Sequence, residues 1–524
     1  MSIRTGKVLL ITGSLAKDSV KRYAKESTSN AETCALKIAV AALLTTETIA
    51  KSLKDFDLKR FDMILVPGLV RGDTSVITKA IGVPTFKGPR YAADLPAVLD
   101  SIDEIHFSTV VPACDLLKEK FQKRALAEIE KTEQNQEELL KNSGNILVGN
   151  LAIGKDFPMR VLAEIVDAPL LNQDTIQSLA QQYVKAGADI IDVGMVAGES
   201  RPSDAKRIVK LVKQVVDVPV SIDTLDSAEI REAVEAGADF VLSADAGNLD
   251  EIAPYVSDVA VVVIPTNQRR GFFPKKVEMR VKFMEEMISR AKKLGITKCL
   301  ADLILEPSDV LKSFTAFQQF AQRNPNIPLF VGVSNVTELF DADSVGVNAL
   351  LTRLSSEVGA SILLATEKSD KAKGTVSEEA TAAKMMFLAK KRGSVPKDLG
   401  IDLLMLKDKR NHEEQYDKTI EKNVQVAIAE KPDATFLDPK GAFTLMLDRP
   451  NKQIAALYYL SAKKAKPDVI LKGKTADEVY RKIIEINLIS RLEHAGYLGA
   501  ELAKAEVALR TGKEYIQDKK LFEK

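Results

Sequence analysis

The most constraining feature of this chain is a helix–turn–strand unit that repeats in its middle third. The sequence VKAGAD at 184–189 is echoed by VEAGAD at 234–239, and each copy leads into a short apolar run. In both copies the glycine can supply the left-handed backbone that ends a helix. A helix followed at once by a buried strand is typical of parallel α/β sheets, in which crossover helices cover the strands.

The same alternation continues from about residue 145 to about residue 395. The predicted strands are 146–151, 190–193, 218–223, 240–243, 259–264, 299–305, 328–332 and 361–365. The predicted helices are 172–186, 204–216, 227–236, 248–256, 275–294, 309–323, 343–358 and 377–392. Eight strand–helix units within about 250 residues predict an α/β protein built on a (β/α)8 TIM barrel rather than an open sheet.

The regions on either side of the barrel have different patterns. We predict an N-terminal α/β domain at 1–112, a charged helical connector at 113–143, the barrel at 144–400 and a C-terminal α+β domain at 411–524. Strands are predicted at 7–12, 35–41 and 61–66 of the N-terminal domain. In the C-terminal domain, alternating residues at 436–448 and 453–460 predict a hairpin. Two helices are predicted there, at 475–486 and 488–511.

Charge and cysteine content exclude several classes of protein. The 74 Lys and Arg residues nearly balance 73 Asp and Glu residues, so no global field attracts nucleic acid or an anionic membrane. Cys34, Cys114 and Cys299 lie far apart without a CxxC pair, which indicates a reducing compartment. The sequence lacks the layout of a signal peptide and an apolar run long enough to span a bilayer. We therefore predict a cytoplasmic protein without nucleic-acid or membrane partners.

Polar side chains stand where several predicted strands end. These residues are Asn150, Asp192, Asp223, Asp245, Asp302, Ser334 and Asn335. The active site of a (β/α)8 barrel lies at this end of its strands. An isolated acid in an apolar run, such as Asp302, is explained by an ion pair or a helix cap. Three acids from separate strands, Asp192, Asp223 and Asp302, instead predict a binding site.

Two loops add charge at the same end of the barrel. The loop after the second strand carries Glu199 and Arg201, and the loop after the eighth strand carries Lys368 and Lys371. The second loop leads into a capping-box sequence, TVSE at 375–378. Lysines beside a helix N-terminus are typical of the phosphate site of such barrels. An exposed charged loop explains the same residues equally well.

Taken in order, these motifs resemble a known family. GADIIDVG at 187–194, GESRP at 198–202, VPVSIDT at 218–224 and AGAD at 236–239 are similar to the pterin-binding barrel of dihydropteroate synthases. The same barrel occurs in methyltetrahydrofolate and tetrahydromethanopterin methyltransferases. The layout with two outer domains resembles the archaeal-type relatives of the synthase. This resemblance implies a reduced pterin as substrate or cofactor, with Mg2+ or a corrinoid as further cofactors.

The resemblance also implies roles for the residues at the strand ends. Asp223 and Asp302 would accept paired hydrogen bonds from the pyrimidinone edge of the pterin, a strong charge-assisted arrangement. Asp192 would support them. The other predicted substrate-binding residues are Asn150, Glu199, Arg201, Asp245, Ser334, Lys368 and Lys371. No residue is predicted to be a metal ligand.

The chain departs from the synthases where they hold the leaving pyrophosphate. GVSNV at 332–336 replaces their Gly-x-Ser-Arg-Lys motif, and ATE at 365–367 replaces Arg-x-His. Gly-x-Ser-Asn instead resembles the methyltransferases, in which the Asn amide lies near the pterin N5, so Asn335 would take that role. An amide oxygen in that place can stabilise the protonated nitrogen.

Three functions stay open. The first is a synthase-like enzyme of folate or tetrahydromethanopterin biosynthesis, and the second transfers a methyl group from a methyl-tetrahydropterin to a corrinoid or thiol. The third is a non-catalytic pterin-binding or assembly protein. Small residues such as Gly496 and Gly499 on the last helix predict close packing in a homodimer, and methyl transfer would add a corrinoid protein as partner. His494, Tyr497 and Glu501 share one face of that helix, but a lone helical histidine is more often structural.

Overall fold

A computed structural model describes residues 6–54, 56–397, 399–409, 416, 418–429, 437–461 and 463–522. The chain divides into two compact units, Met1–Glu413 and Glu414–Lys524. The first unit contains an N-terminal sheet, a helical connector and a closed barrel, and the second contains a small sheet with two helices. None of the described helices is both long and apolar enough to cross a membrane.

The N-terminal part of the first unit is a four-stranded parallel sheet with the strand order β2-β1-β3-β4. Its elements are β1 (Val8–Thr12), α1 (Lys17–Ala24), β2 (Ala31–Ala35), α2 (Thr46–Leu53), β3 (Met63–Val66), α3 (Ser75–Ile81), β4 (Thr85–Lys87) and α4 (Leu95–Asp100). Successive side chains of a strand point to opposite faces. Leu9 and Ile11 accordingly pack into one apolar core, and Val8 and Leu10 pack into a second.

One predicted strand of this sheet is wrong. The strand predicted at 35–41 lies earlier, at β2, and the apolar residues after it form a loop. In this loop the carbonyls of Ile38 and Ala39 accept hydrogen bonds from the amides of Ser14 and Leu15. Because these bonds satisfy backbone groups of the loop, the apolar run is held at the end of β1 without forming a strand. The predicted strands at 7–12 and 61–66 are confirmed as β1 and β3.

Two helices and a hairpin lead into the barrel. They are α5 (Ala113–Gln134), α6 (Gln136–Leu139), β5 (Ile146–Val148) and β6 (Leu151–Ile153), and β5 and β6 pair antiparallel. The barrel strand predicted at 146–151 is therefore wrong. The chain reverses at Gly149, whose φ is +58°, a conformation that glycine adopts readily. The first barrel strand follows later, at β7 (Arg160–Ile165).

Seven further parallel strands complete the barrel. They are β8 (Ile190–Gly194), β9 (Val220–Asp223), β10 (Phe240–Ala244), β11 (Ala260–Val263), β12 (Cys299–Ala301), β13 (Leu329–Val331) and β14 (Ala360–Thr366). Each strand pairs with the next, and β14 pairs with β7 to close the barrel. The predicted (β/α)8 fold is confirmed, and each of the other seven predicted strands overlaps an observed one.

Helices surround the barrel. They are α7 (Gln173–Ala186), α8 (Pro202–Lys213), α9 (Ser227–Glu235), α10 (Leu249–Ile252), α11 (Val277–Lys293), α12 (Val310–Arg323), α13 (Ser334–Thr337), α14 (Ser344–Val358) and α15 (Thr375–Arg392). On α8, for example, Ala205, Ile208, Val209 and Val212 are buried, the spacing of an apolar helix face that covers a sheet. All eight predicted helices overlap observed ones.

The amino-terminal end of the barrel is filled and tied to the connector. Inside it, Leu162 and Phe240 pack against Val148 of the hairpin. Arg160, which is buried, donates two hydrogen bonds of 2.8 Å to the carboxylate of Glu133 on α5 and one of 2.9 Å to the Ala152 carbonyl. The hairpin therefore plugs this end, and the opposite end is left for a site.

The second unit is a three-stranded antiparallel sheet with two helices. Its elements are β15 (Ala442–Asp448), β16 (Gln453–Tyr459), β17 (Val469–Gly473), α16 (Ala476–Glu485) and α17 (Leu492–Thr511). The predicted hairpin is confirmed by the pairing of β15 with β16, although its predicted start at residue 436 lies outside the described residues. Both predicted helices overlap observed ones, and β17 is an addition to the prediction.

The start of α17 is fixed by a buried carboxylate. Asp438 accepts the backbone amides of Ser490 and Arg491 at 2.9 and 3.0 Å, and His494 Nδ1 lies 3.1 Å from the same carboxylate. The Ser490 hydroxyl and the Lys440 amide also donate to it. These contacts satisfy free amides before the helix and give His494 a structural role. A Cβ at Gly496 or Gly499 would meet no described atom within 4 Å. The small-residue face is thus open within this unit, and the homodimer stays a prediction.

Candidate active site

Three carboxylates from neighbouring strands meet at the carboxyl end of the barrel. In the strand register Glu164 of β7 lies beside Asp192 of β8, and Asp192 lies beside Ser221 of β9, two residues before Asp223. Alternate residues of a strand face the same side, so the three acids point into the barrel, as Leu162 does. Their carboxylate oxygens lie within 4.8 Å of one another. The structure thus brings Asp192 and Asp223 together and adds Glu164 to them.

Asp192 is the most deeply buried of the three, with a side chain that is 0% exposed. One carboxylate oxygen accepts a hydrogen bond from the Ser221 hydroxyl. The other has no partner among the described residues. Burial, and then the charges of Asp223 and Glu164, raise the pKa of Asp192 well above its ordinary value. An unpaired buried carboxylate oxygen lowers the stability of the fold. A proton or a bound ligand on this oxygen would remove that cost.

Glu164 is the site residue that the sequence reasoning missed. Its carboxylate lies against Gly194, where a Cβ would come within 2.3 Å of one of its oxygens. Burial, and then the charge of Asp223, raise the pKa of Glu164. The sequence contains the signal that singled out Asp302, an acid inside an apolar run. Because the first barrel strand was predicted at 146–151, Glu164 did not lie at the end of a predicted strand and was not included in the site.

Asp302 follows β12 and is nearly buried, with an exposed fraction of 8%. Its carboxylate accepts the Ile304 amide at 2.7 Å. Burial raises the pKa of Asp302 to about 7; the Ile304 hydrogen bond opposes the increase, and the charge of Asp223 adds to it. Burial also raises the pKa of Asp223. Within the described part of the chain neither acid forms an ion pair, so both keep acceptor atoms for a ligand.

The acid cluster has a direct electrostatic consequence. Three buried carboxylates as close as Glu164, Asp192 and Asp223 cannot all be ionised. At neutral pH they hold at least one proton and titrate as a group rather than singly. A divalent cation such as Mg2+ could take the place of the proton, because it prefers carboxylate oxygens. In the protonated form the cluster supplies hydrogen-bond acceptors and a transferable proton at one point of the barrel.

Asn335 stands at the same end, just after β13. Its side chain is partly buried and folds over Gly332, where a Cβ would lie 2.5 Å from the amide nitrogen. This amide makes no hydrogen bond within the described ranges. The neighbouring Ser334 has a different role, since its buried hydroxyl accepts the Thr366 amide at 2.7 Å. Ser334 therefore ties the ends of β13 and β14 together, and Asn335 keeps a free amide.

The other predicted acids and cations after β8 and β10 are engaged in their own loops. Asp245 accepts the amides of Gly247 at 2.6 Å and Gln268 at 2.7 Å and the Thr266 hydroxyl at 3.0 Å. Glu199 and Arg201 form an ion pair of 2.6 Å with each other. The structure gives these three residues loop contacts and leaves their predicted role in substrate binding without support.

The predicted phosphate site after β14 is filled by the protein itself. Lys368 pairs with Asp167 at 3.0 Å, and Lys371 donates to the Phe340 carbonyl at 2.6 Å. At the N-terminus of α15, the carboxylate of Glu367 accepts the Val376 amide at 3.2 Å. The predicted capping box is wrong, because the N-cap is Gly374 and has no side-chain hydrogen bond. An acid of this chain thus occupies the position where an anion would bind.

Asn150 is not at the mouth of the barrel. It lies in the turn of the β5–β6 hairpin, after Gly149, whose Cβ position is 3.4 Å from Pro219 at the start of the third barrel strand. This is the amino-terminal end, so its prediction as a substrate-binding residue is wrong. The error follows from the misplaced first strand, which put Asn150 after a barrel strand.

Comparison with known proteins finds a relative that matches the chain along almost its whole length. An uncharacterised protein of Methanocaldococcus jannaschii is 43% identical over 534 residues, which cover 98% of this chain and 99% of that protein. The chain belongs to the family of this Methanocaldococcus protein. Within the chain, residues 166–366 match the family described as pterin binding enzyme. Residues 6–90 match a family of unknown function, and residues 437–518 match PterinBD-DUF4346.

Dihydropteroate synthases share part of the barrel. The enzyme of Streptococcus pyogenes is 30% identical over 141 residues, which cover 24% of this chain and 52% of that protein. Among solved structures, the Yersinia pestis synthase with a pterine-sulfa conjugate has 19% identity and a TM-score of 0.38, over 47% of this chain and 99% of that one. The resemblance of the barrel to pterin binding enzymes is shown by the family match of residues 166–366, and the barrel fold is shown by the closed order of its strands.

Proposed function

We propose that this barrel binds a reduced pterin at its carboxyl end and transfers a methyl group from the pterin N5 to an external nucleophile. The observation that carries the proposal is the acid cluster of Glu164, Asp192 and Asp223, in a barrel whose expected phosphate site is filled by Glu367. The carboxylates at this end of the barrel favour a substrate that donates hydrogen bonds to them and takes up a proton. They do not favour one that leaves as an anion.

Asp223 and Asp302 are the proposed anchors of the pterin. Within the described residues the carboxylate of Asp223 accepts no hydrogen bond, and the carboxylate of Asp302 accepts one, from the backbone amide of Ile304. The pyrimidinone edge of a pterin offers a ring N–H beside an amino group, and a carboxylate can accept such a pair in parallel. Because both acids lie at the end of an apolar barrel core that includes Leu242 and Leu300, little water competes for their oxygens.

Charge separates methyl transfer from the synthase reaction. A synthase must stabilise the pyrophosphate that leaves the pterin methylene, which needs free cations. Here Lys368 and Lys371 are held by Asp167 and Phe340. Buried acids would repel the leaving anion. This electrostatic difference, rather than the overall fold, favours methyl transfer.

The proposed reaction breaks the bond between N5 and the methyl carbon. N5 is first protonated, the methyl group moves to the nucleophile, and the electron pair of the broken bond stays on N5, which ends as N–H. The nucleophile is a thiolate or the reduced metal of a corrinoid, and it gains the methyl group. Protonation of N5 makes the pterin a better leaving group. The acid cluster supplies a proton reservoir, and the Asn335 amide oxygen can stabilise the protonated nitrogen.

The second candidate is a synthase-like condensation in folate or tetrahydromethanopterin biosynthesis. It is favoured by the match of residues 166–366 to pterin binding enzymes and by the relatives named dihydropteroate synthase. This reaction joins the pterin methylene to an arylamine and releases pyrophosphate. A bound Mg2+ at the acid cluster would supply the positive charge that the lysines do not. A non-catalytic pterin-binding protein remains the third candidate.

Pterin binding is tested first, by anaerobic calorimetry with 5-methyltetrahydrofolate as the probe. We expect saturable binding by the wild type, and Asp223→Asn to weaken it at least 100-fold, because an amide cannot accept two parallel hydrogen bonds. The matched control is Asp217→Asn, an exposed aspartate just before β9, which should bind like the wild type. Absence of binding by the wild type would overturn the assignment.

The reaction is then identified with two assays on the same preparation. Loss of the methyl group from 5-methyltetrahydrofolate to cob(I)alamin or a thiol, followed by absorbance, is the expected outcome. Release of pyrophosphate from a pterin pyrophosphate and 4-aminobenzoate would establish the synthase reaction instead. Binding without turnover in either assay would leave the non-catalytic protein.

A further inference from the structure

A cavity lies at the amino-terminal end of the barrel, opposite the acid cluster. It has a volume of about 800 Å3 and is formed by the connector helix α5, the segment before β7 and the C-terminal half of α15. Its volume is within the range of small-molecule sites. It is separated from the acid cluster by the length of the barrel, because Ala360 at the start of β14 lines the cavity and Thr366 ends the same strand at the mouth.

We propose that this cavity binds a nucleoside phosphate or a closely similar ligand, with a phosphate group on a planar aromatic body. The proposal does not depend on the function of the barrel mouth. It rests on two properties of the cavity, a rim of positive charge and an apolar floor.

The rim carries four lysines and one acid. The lysines are Lys131, Lys155, Lys390 and Lys391, and the acid is Asp156. Asp156 already accepts the side-chain amides of Asn142 and Asn145 at 3.0 and 2.7 Å.

Three of these lysines are available to a ligand. Lys391 donates to the Thr132 hydroxyl at 3.0 Å, whereas Lys131, Lys155 and Lys390 make no hydrogen bond or ion pair within the described part of the chain. The formal net charge of the whole protein is only +1, so this group is a local concentration of positive charge. Ammonium groups that line one concave surface favour a phosphate, with which they form charge-assisted hydrogen bonds.

The floor is apolar and partly aromatic. Phe157, Met159 and Ala383 are buried, and Phe387 is partly buried. The small side chain of Ala383 faces the cavity from α15 and leaves room there. An inorganic phosphate would contact only the rim, whereas a planar ring can also cover the aromatic floor and remove apolar surface from water. The two properties together indicate a ligand that joins an anion to a ring.

The test uses the fluorescent nucleotide N-methylanthraniloyl-ADP with the full-length protein. We expect a saturable increase in fluorescence that unlabelled ADP reverses. Adenosine, which lacks the charge, and inorganic pyrophosphate, which lacks the ring, should each compete at least tenfold less well than ADP. Competition by pyrophosphate equal to that of ADP would overturn the proposal in favour of a plain charged patch.

Two double variants make the test specific. Lys155→Ala with Lys390→Ala removes two exposed rim lysines and should raise the Kd at least tenfold. Lys292→Ala with Lys293→Ala removes the same charge from the exposed face of α11 and should leave the Kd within twofold. Thermal unfolding followed by circular dichroism establishes that both variants are folded. No saturable signal with the wild type, or equal effects of the two double variants, would contradict the proposal.

Discussion

The two ends of the barrel are opposite in charge and in the way they are filled. At the carboxyl end, Glu164, Asp192 and Asp223 crowd together with an unpaired buried oxygen. At the amino end, the buried Arg160 donates one hydrogen bond from each of its three side-chain nitrogens, to Glu133 or to Ala152. The first arrangement is unfavourable for folding and useful for binding. The second is favourable for folding. The comparison teaches that stability and function are separated along the strands of this barrel.

The largest effect on stability is expected at the amino end, from Arg160→Ala. The substitution leaves the Glu133 carboxylate and the Ala152 carbonyl without their partner. Breaking a fully buried pair costs about 3–5 kcal/mol, and because the Glu133 side chain is 35% exposed we expect a loss of about 3 kcal/mol, at the lower end of that range. The free energy of unfolding in urea measures this loss. Arg353→Ala, which removes an exposed pair with Glu357, serves as control and should cost about 0.5 kcal/mol. Equal losses in the two variants would remove the assigned role of Arg160 as the tie between connector and barrel.

The next effect is a pH dependence at the carboxyl end. The pKa of Asp302 is raised from 3.8 to about 7 in the folded protein, so the folded state binds the proton more tightly than the unfolded state. Its contribution to stability is therefore complete below about pH 4 and is lost as pH rises toward 7, with a slope of up to about 1.4 kcal/mol per pH unit.

The measurement is the difference in unfolding free energy between the wild type and Asp302→Asn at several pH values between 4 and 8. The wild type should lose stability relative to the variant as pH rises, because the Asn side chain does not titrate. Asp217→Asn, at an exposed position, should show a constant difference. A constant difference for Asp302→Asn as well would mean that the pKa of this carboxyl is the same in the folded and unfolded states.

A smaller effect of opposite sign to that of Arg160→Ala is expected for Asp192→Asn. The amide keeps the shape of the carboxylate, removes one charge from the cluster and can donate to Glu164 or Asp223. Stability at pH 8 should rise by about 1 kcal/mol, since like-charge repulsion and the burial of charge are both reduced. Urea unfolding measures the gain, and calorimetry with 5-methyltetrahydrofolate measures the accompanying loss of affinity. A variant less stable than the wild type would show that Asp192 itself carries the proton of the cluster at pH 8, or is neutralised by a cation, so that the substitution removes no net charge.

The sequence was sufficient for the barrel and for part of the site. The repeated AGAD turns and the alternation of strands and helices predicted the fold. Burial between a barrel and its helices imposes a periodic pattern of apolar residues, and this pattern persists even where single residues depart from it. Asp192, Asp223 and Asp302 could be predicted for a related reason. An acid at the end of an apolar strand conflicts with its surroundings, and such conflicts mark functional sites.

What the sequence could not supply was the partner of each polar group. Lys368, Lys371 and Asp245 have the residue types of a binding site, but their contacts with Asp167, Phe340 and Gly247 depend on how the loops pack. The hairpin at 146–153 was ambiguous because a short apolar run fits an edge hairpin as well as a buried strand. Because of this ambiguity, the predicted site omitted Glu164 and included Asn150 instead.

The same substitution, Asn→Ala, can therefore be compared at the two ends of the barrel, at Asn150 and at Asn335. Asn150→Ala changes an exposed hairpin turn at the amino end and should leave both the affinity for 5-methyltetrahydrofolate and the rate of methyl transfer within twofold. Asn335→Ala should lower kcat about 100-fold, the usual effect of losing one stabilising group beside a developing charge. Single-turnover kinetics separates this loss from an effect on binding. An Asn150 variant with weakened pterin affinity would show that the ligand reaches the hairpin, and the division of roles between the two ends would then fail.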